Sequence, residues 1–254
     1  MSTIPINLIV FCTTMGHGGN HTYKDCINDL YSKVDKNVFK NRLLHLKTRK
    51  GEEDIAEEIK RFCEDKDVRV LETVEDIVHH SENHQIHSAG YFKDILTAYS
   101  DSEIQKQKYS FWLEDDELLQ TDSITLESAL VESVKFLEEN PNQLCVRFNR
   151  AKEFGEPMDA GSNSKHEYFF ENENIFTQAI NYSEWGPTFT FQPNINRTKQ
   201  IFLAWQEAQK YLDNLGNWHC EVVSGSILRQ VTNIEKETAF SFFNTNKVFS
   251  KTIG

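Results

Sequence analysis

The sequence predicts an α/β protein built on a mostly parallel, Rossmann-like sheet flanked by helices. Two observations predict it. Apolar runs of strand length alternate with amphipathic stretches of helix length through residues 6–113. The first and fourth of those runs are continuous rather than alternating, as in strands covered on both faces. Strands separated by one helix each are joined most simply by right-handed crossovers into a parallel sheet.

Ile6 to Cys12 is the first strand, and Tyr23 to Val34 reads as a helix with Ile27, Leu30, Tyr31 and Val34 on one face. Arg42 to Leu46 is a second strand. Asp54 to Glu64 is a second helix with the stripe Ile55, Ile59, Phe62 and Cys63, and Val68 to Leu71 is a third strand. A loop carrying His79, His80, His84 and His87 precedes the helix Ala89 to Ser100, which turns Phe92, Ile95, Leu96 and Tyr99 inward. Tyr109 to Leu113, rich in aromatic residues, is the fourth strand.

The second half is more irregular. Ser123 to Asn140 is an amphipathic helix stopped by Pro141, and Gln143 to Asn149 returns as a strand. Lys152 to Asn174 is a polar excursion of lid-like composition. Asn174 to Ile180 and Thr188 to Phe191 read as strands, Arg197 to Leu215 as a helix capped by Gly216, and Thr238 to Phe243 as a last strand. Residues 1–254 are thus expected to form one domain, its ligand-binding half at 1–120 and its more irregular half at 121–254.

Composition narrows the function. The net charge of −12 disfavours nucleic acid or an anionic membrane as the main partner, since both need a basic surface. No apolar run is long enough to span a bilayer, and Met1 to Phe11 lacks the marks of a signal peptide. Cysteines 12, 26, 63, 145 and 220 contain no C-x-x-C pair and read as reduced, mostly buried thiols of a cytoplasmic protein. The sequons at Asn20, Asn181 and Asn196 then carry little meaning.

The chemistry gathers where the fourth strand ends. Phe111-Trp112-Leu113 breaks into Glu114-Asp115-Asp116-Glu117. Four like charges leaving a buried strand are costly unless a cation or a proton relieves them. Extended periodicity would put Glu114 and Asp116 on one side and Asp115 and Glu117 on the other. Parallel sheets bind ligands beyond the carboxyl ends of their strands, and the polar turn Thr13 to Asn20 ends there too. Its glycines, Gly16, Gly18 and Gly19, match no phosphate-loop or dinucleotide fingerprint.

With these elements in place the chain, from Ile6 to Arg229, resembles the GT-A glycosyltransferases, which move a sugar from a nucleotide-diphosphate donor. The likeness lies in the first strand ending at Thr13-Thr14, the strand–helix alternation, the DxD-type triplet Glu114-Asp115-Asp116, a Trp-Gly-Pro turn and a late acid before a helix. It implies a Mn2+ or Mg2+ cofactor, a UDP- or GDP-type donor, and a glycan or other hydroxyl-bearing acceptor. It implies Asp116 as metal ligand with Glu114 and His219. Donor contacts fall to Thr13, Thr14, Lys93, Glu114, Asp115 and an acid after the third strand (Glu72, Glu75 or Asp76, of which Asp76 is preferred). Glu221 falls where inverting members keep a general base, and Asp115 joins it in the catalytic set. Trp185 and Trp218 fall on the acceptor side.

Each assignment has a plainer counterpart. The acidic run also suits a solvated strand exit, Lys93 a solvated helix lysine, the tryptophans core packing, and Glu221 an acid favoured by a helix dipole. The loop histidines fit no zinc spacing. A sugar-nucleotide pyrophosphorylase would share the sheet and the metal, but Thr13 to Asn20 holds no Lys or Arg. A non-catalytic nucleotide-sugar or glycan-binding module of the same fold would not depend on Asp116.

Overall fold

The first apolar run forms β1, Ile6–Thr13, buried along nearly its whole length because apolar residues alternate to both of its faces. The computed structural model describes residues 5–15, 21–75, 84–119, 123–148, 168–170, 175–178, 193–210, 240–243 and 250–252. After β1 come α1 (Tyr23–Lys33), β2 (Phe39–Arg49), α2 (Glu53–Asp65), β3 (Arg69–Glu75), α3 (His84–Ser100) and β4 (Tyr109–Glu114). The second half adds β5 (Glu117–Leu119), α4 (Ser123–Glu139), β6 (Cys145–Arg147), β7 (Tyr168–Phe170), β8 (Ile175–Gln178), β9 (Asn194–Arg197), α5 (Thr198–Gln209), β10 (Phe240–Phe243) and β11 (Ser250–Thr252).

The large sheet has the order β3-β2-β1-β4-β9-β6-β10-β8-β7. Strands β3, β2, β1 and β4 are parallel, as the βαβ spacing requires. Strand β9 enters antiparallel between β4 and β6, β10 is parallel to β6, and β8 is antiparallel to both β10 and β7. The expected α/β sheet is present, and strands from both halves of the chain share it.

Alternation along the strands divides the core in two. Leu8, Val10, Cys12, Leu44, Leu46, Phe111 and Leu113 face α1, α2 and α4. Ile9, Phe11, Leu43 and Trp112 face α3 and α5. Trp112 lies 4.3 Å from Phe11, ring centre to ring centre, so the two middle strands are welded side by side on the α3 face.

Several expected boundaries change. Strand β3 runs on to Glu75, so Glu72 and Glu75 belong to the strand rather than to the loop after it. Helix α3 begins at His84, which takes His84 and His87 out of the expected loop and into its first turns. Strand β9 occupies Asn194–Arg197, between the expected strand Thr188 to Phe191 and the helix expected from Arg197. Its asparagines are wholly buried, and hydropathy gives no sign of that. Asn196 exchanges hydrogen bonds with the Tyr99 hydroxyl (2.8 and 3.0 Å) and donates to Asn194 at 2.8 Å, so the burial of its polar atoms is compensated. That burial also removes the Asn196 sequon from any surface. The expected strand Thr188 to Phe191, the polar excursion and the end of the Arg197 to Leu215 helix lie outside the described residues.

Cys12, Cys26, Cys63 and Cys145 are buried free thiols, as expected. No helix among the described residues is long and apolar enough to cross a membrane.

Candidate active site

Register fixes what meets at the carboxyl rim of the sheet. Phe11 on β1 lies beside His45 on β2 and Glu114 on β4, and Thr13 lies beside Lys47. Beyond the last paired residue the Asp115 N–H still donates to the Phe11 carbonyl at 3.0 Å, extending the β1–β4 ladder by one bond. The chain then turns through Asp115 and Asp116 and re-enters a short strand at Glu117. The strand periodicity expected across all four acids therefore stops at Glu114.

The turn divides its acids between the two faces of the sheet. Glu114 is on the α3 side, where the Tyr91 hydroxyl donates to its Oε1. Asp115 is on the α1 side, beside Cys12 and Cys26. Burial first, and then the charge of Asp115, keep the Cys12 thiol protonated well above the ordinary thiol range. Burial does the same to Cys26, reinforced by Asp115, Asp116 and Glu117. The Cys26 thiol also donates to the Glu114 carbonyl at 3.3 Å, so the backbone of the acidic turn is held from α1.

Asp115, Asp116 and Glu117 are 2%, 4% and 5% exposed. This is no solvated strand exit: three carboxylates have left water together at the rim of a central strand. They are hard oxygen donors of the class that Mg2+ and Mn2+ take. Among the described residues no group of three or more His, Cys, Asp or Glu side chains is gathered so as to hold a metal by itself. Carboxylates in this number are the protein share that an ion filling most of its sphere from phosphate and water would need.

A clamp follows the turn. From α1, the Asp29 carboxylate accepts the Leu119 N–H at 3.0 Å while the Lys33 ammonium donates to the Leu119 carbonyl. These two side chains, paired with each other, act on one edge of β5 as a neighbouring strand would. The other pairing of β5 is antiparallel to β11, with Thr252 opposite Glu117.

The end of β1 is tied to β2. The Thr14 N–H donates to the Lys47 carbonyl at 3.0 Å, and its buried hydroxyl donates to Glu52 at 2.7 Å and accepts from the Arg49 N–H at 3.0 Å. Gly51, at φ 91°, takes the left-handed turn that brings Glu52 back to Thr14. Glu72 accepts from Thr48 and pairs with Lys60 at 2.9 Å. Glu72 thus faces α2 from inside a strand.

Under α3 lies a polar network that the sequence reading missed. Asp94, buried on α3, accepts from Thr73 at 3.1 Å and pairs with Lys47 at 3.1 Å. His45 Nε2 is 3.7 Å from the same carboxylate. Burial and the Lys47 charge lower the His45 pKa to about 4, so at neutral pH that approach is not an ion pair. Lys93, the expected diphosphate contact, is exposed on the helix, and its neighbour Asp94 is the residue turned to the sheet. The signal for Asp94 and Tyr91 was their spacing of three, which puts both on the inward helical face. Asp76, Trp185, Trp218, His219 and Glu221 lie outside the described residues.

No protein-family model matches the sequence, and no curated protein matches it in sequence. Solved structures do match in shape. GalNAc-T7, crystallised with UDP, GalNAc and Mn2+, superposes with a TM-score of 0.55 at 10% identity, over 98% of this chain and 44% of that one. The fold is of the GT-A type. The chain also aligns with TarS residues 1–349 from S. aureus in complex with UDP (TM-score 0.47, 12% identity, 96% of this chain and 59% of that one). A third match is 4-diphosphocytidyl-2C-methyl-D-erythritol synthase from Anaerococcus prevotii (TM-score 0.45, 12% identity, 94% and 89%). The chain spans less than half the length of the GalNAc-T7 structure. In this GT-A sheet, Thr13, Thr14, Glu114, Asp115 and Asp116 all stand at the carboxyl rim.

Proposed function

We propose that the protein transfers a sugar from a UDP- or GDP-type donor to a hydroxyl of a glycan or other acceptor, with a Mn2+ or Mg2+ ion held at Asp116. The observation that carries this reading is the burial of the acidic turn at the rim of β4, within a GT-A sheet. Bound there, the ion would supply positive charge to the departing diphosphate. Thr13 and Thr14, anchored to β2, border the nucleoside. Glu114 and Asp115 face the donor from either side of the turn, and Asp116 is the ligand between them.

The acceptor chemistry is assigned to the second half. Glu221 removes the proton of the attacking hydroxyl, a role that needs a carboxylate within hydrogen-bond reach of it and that suits inversion. His219 adds a late metal ligand. Trp185 and Trp218 offer flat apolar faces for sugar rings.

The test is release of nucleotide diphosphate from a panel of UDP- and GDP-sugars, with and without Mn2+. Wild type is expected to turn over at least one donor in a Mn2+-dependent way. Glu221→Gln is expected to bind that donor but not consume it. A chain that neither binds nor consumes any donor in the presence of Mn2+ contradicts the reading.

A further inference from the structure

We infer that Tyr91 is a positioning residue for the donor side of the acidic turn: its hydroxyl fixes the Glu114 carboxylate before any ligand arrives. The inference rests on the nucleotide-sugar reading above and adds a residue that neither the sequence motif nor the fold supplies.

The backbone of Glu114 is already determined. It is the last β4 residue in register with Phe11, its carbonyl accepts from the Cys26 thiol at 3.3 Å, and the next N–H donates to Phe11. What remains free in a glutamate is its side chain, with three rotatable bonds to order when a ligand binds. Tyr91 removes that freedom from the α3 side, its hydroxyl donating to Glu114 Oε1.

Tyr91 is itself held. Its ring packs against Phe11 at 6.2 Å, tilted by 31°, and Phe11 packs on Trp112. It lies one helical turn before Asp94, whose contacts to Lys47 and Thr73 tie that face of α3 to β2 and β3. The hydroxyl is therefore presented by a fixed ring on a fixed helix. A charge-assisted hydrogen bond from such a donor orients a carboxylate, and a site ordered in advance binds more tightly because less freedom is lost on binding.

A double-mutant cycle tests this, read as the Kd of UDP or GDP (whichever the wild type binds more tightly) with Mn2+ by calorimetry. Tyr91→Phe keeps the ring on Phe11 and removes only the hydroxyl. It is expected to weaken binding about tenfold, or about 1.4 kcal/mol. In a Glu114→Ala background the same change is expected to cost less than about twofold, because Tyr91 acts through Glu114. Ligand-free melting temperatures of Tyr91→Phe and wild type are expected to agree.

Binding by Tyr91→Phe within about twofold of wild type overturns the inference alone. An equal loss in both backgrounds also overturns it, since that is what a merely structural tyrosine would give. A wild type that binds neither nucleotide with Mn2+ overturns both this inference and the functional reading beneath it.

Discussion

The two faces of the sheet treat their rim carboxylates differently. On the α3 face, Glu114 and Asp94 each meet hydrogen-bonding or cationic groups: Tyr91 for the first, Lys47 and Thr73 for the second. On the α1 face, Asp115 meets two thiols, which its charge helps to keep protonated. A tyrosine, a lysine and a threonine fix a carboxylate in place, whereas a protonated thiol is a weak donor and brings no positive charge. On the proposed reading, the α3 face fixes the geometry of Glu114, and the turn after β4 is where the charge of a ligand would act. A sheet with both covered faces apolar can keep such a distinction only at its rim, where the strands end.

The largest expected effect lies in the core that sets both faces. Trp112→Ala empties the seam between β1 and α3 and should cost about 3–5 kcal/mol, measured by denaturant unfolding. A loss below about 1 kcal/mol would mean that the seam does not determine the rim. Next comes the α3 network. Asp94→Ala removes the buried carboxylate that pairs with Lys47 and accepts from Thr73, and about 3 kcal/mol of stability should go with it. The complementary change Asp116→Asn should leave stability nearly untouched while removing Mn2+-dependent binding. If the two outcomes exchanged places, the division of labour between the faces would be reversed.

Smaller effects come from pH. The folded-state pKa of His45 is depressed to about 4 from an ordinary value near 6.5. Its neutral form is the folded one, so its contribution is full above about pH 6.5 and is lost as pH falls toward 4. His45→Gln should flatten the acid limb of a stability–pH curve. On the other face the Cys12 and Cys26 pKa values are raised, and burial alone takes Cys63 to about 12. Their protonated forms are favoured in the fold. That stability is complete below about pH 9 and declines as pH rises beyond it. Cys12→Ala should reduce the alkaline slope.

How much of this was legible in the sequence follows from which forces leave a trace there. Strands β1 and β4 were readable because burial on both faces writes itself as a nearly unbroken apolar run, as in Phe111-Trp112-Leu113, whereas β2 and β3 showed only their short apolar centres, Leu43-Leu44 and Val70-Leu71. Strand β9 was not readable, because Asn194 and Asn196 are buried through hydrogen bonds to each other and to Tyr99, and no hydropathy pattern encodes that partner. The three-residue strands β5 and β11 are too short for any period to register, and long-range pairing and the Asp29–Lys33 clamp define them.

The candidate site was legible in part for the same reason. Four consecutive acids after a buried strand announce a rim. Their division between two faces depends on the strand stopping at Glu114, a fact of tertiary pairing with Phe11. Strand β3 extends to Glu75 because pairing with β2 continues through Arg49, and that pairing overrides the polar residues that suggested an earlier end. Tyr91 and Asp94 were hidden among ordinary inward helix positions, since a polar residue on an apolar face is informative only once its partner is known.

The central claim, that the buried turn after β4 holds a divalent ion which a nucleotide diphosphate completes, is tested most directly by electron paramagnetic resonance of Mn2+ titrated with the protein. In the presence of UDP or GDP, wild type is predicted to draw Mn2+ out of its free aquo signal in a one-to-one ratio, and Asp116→Asn is predicted to leave that signal as nucleotide alone does. A wild-type titration indistinguishable from that of Asp116→Asn with both nucleotides would contradict the account.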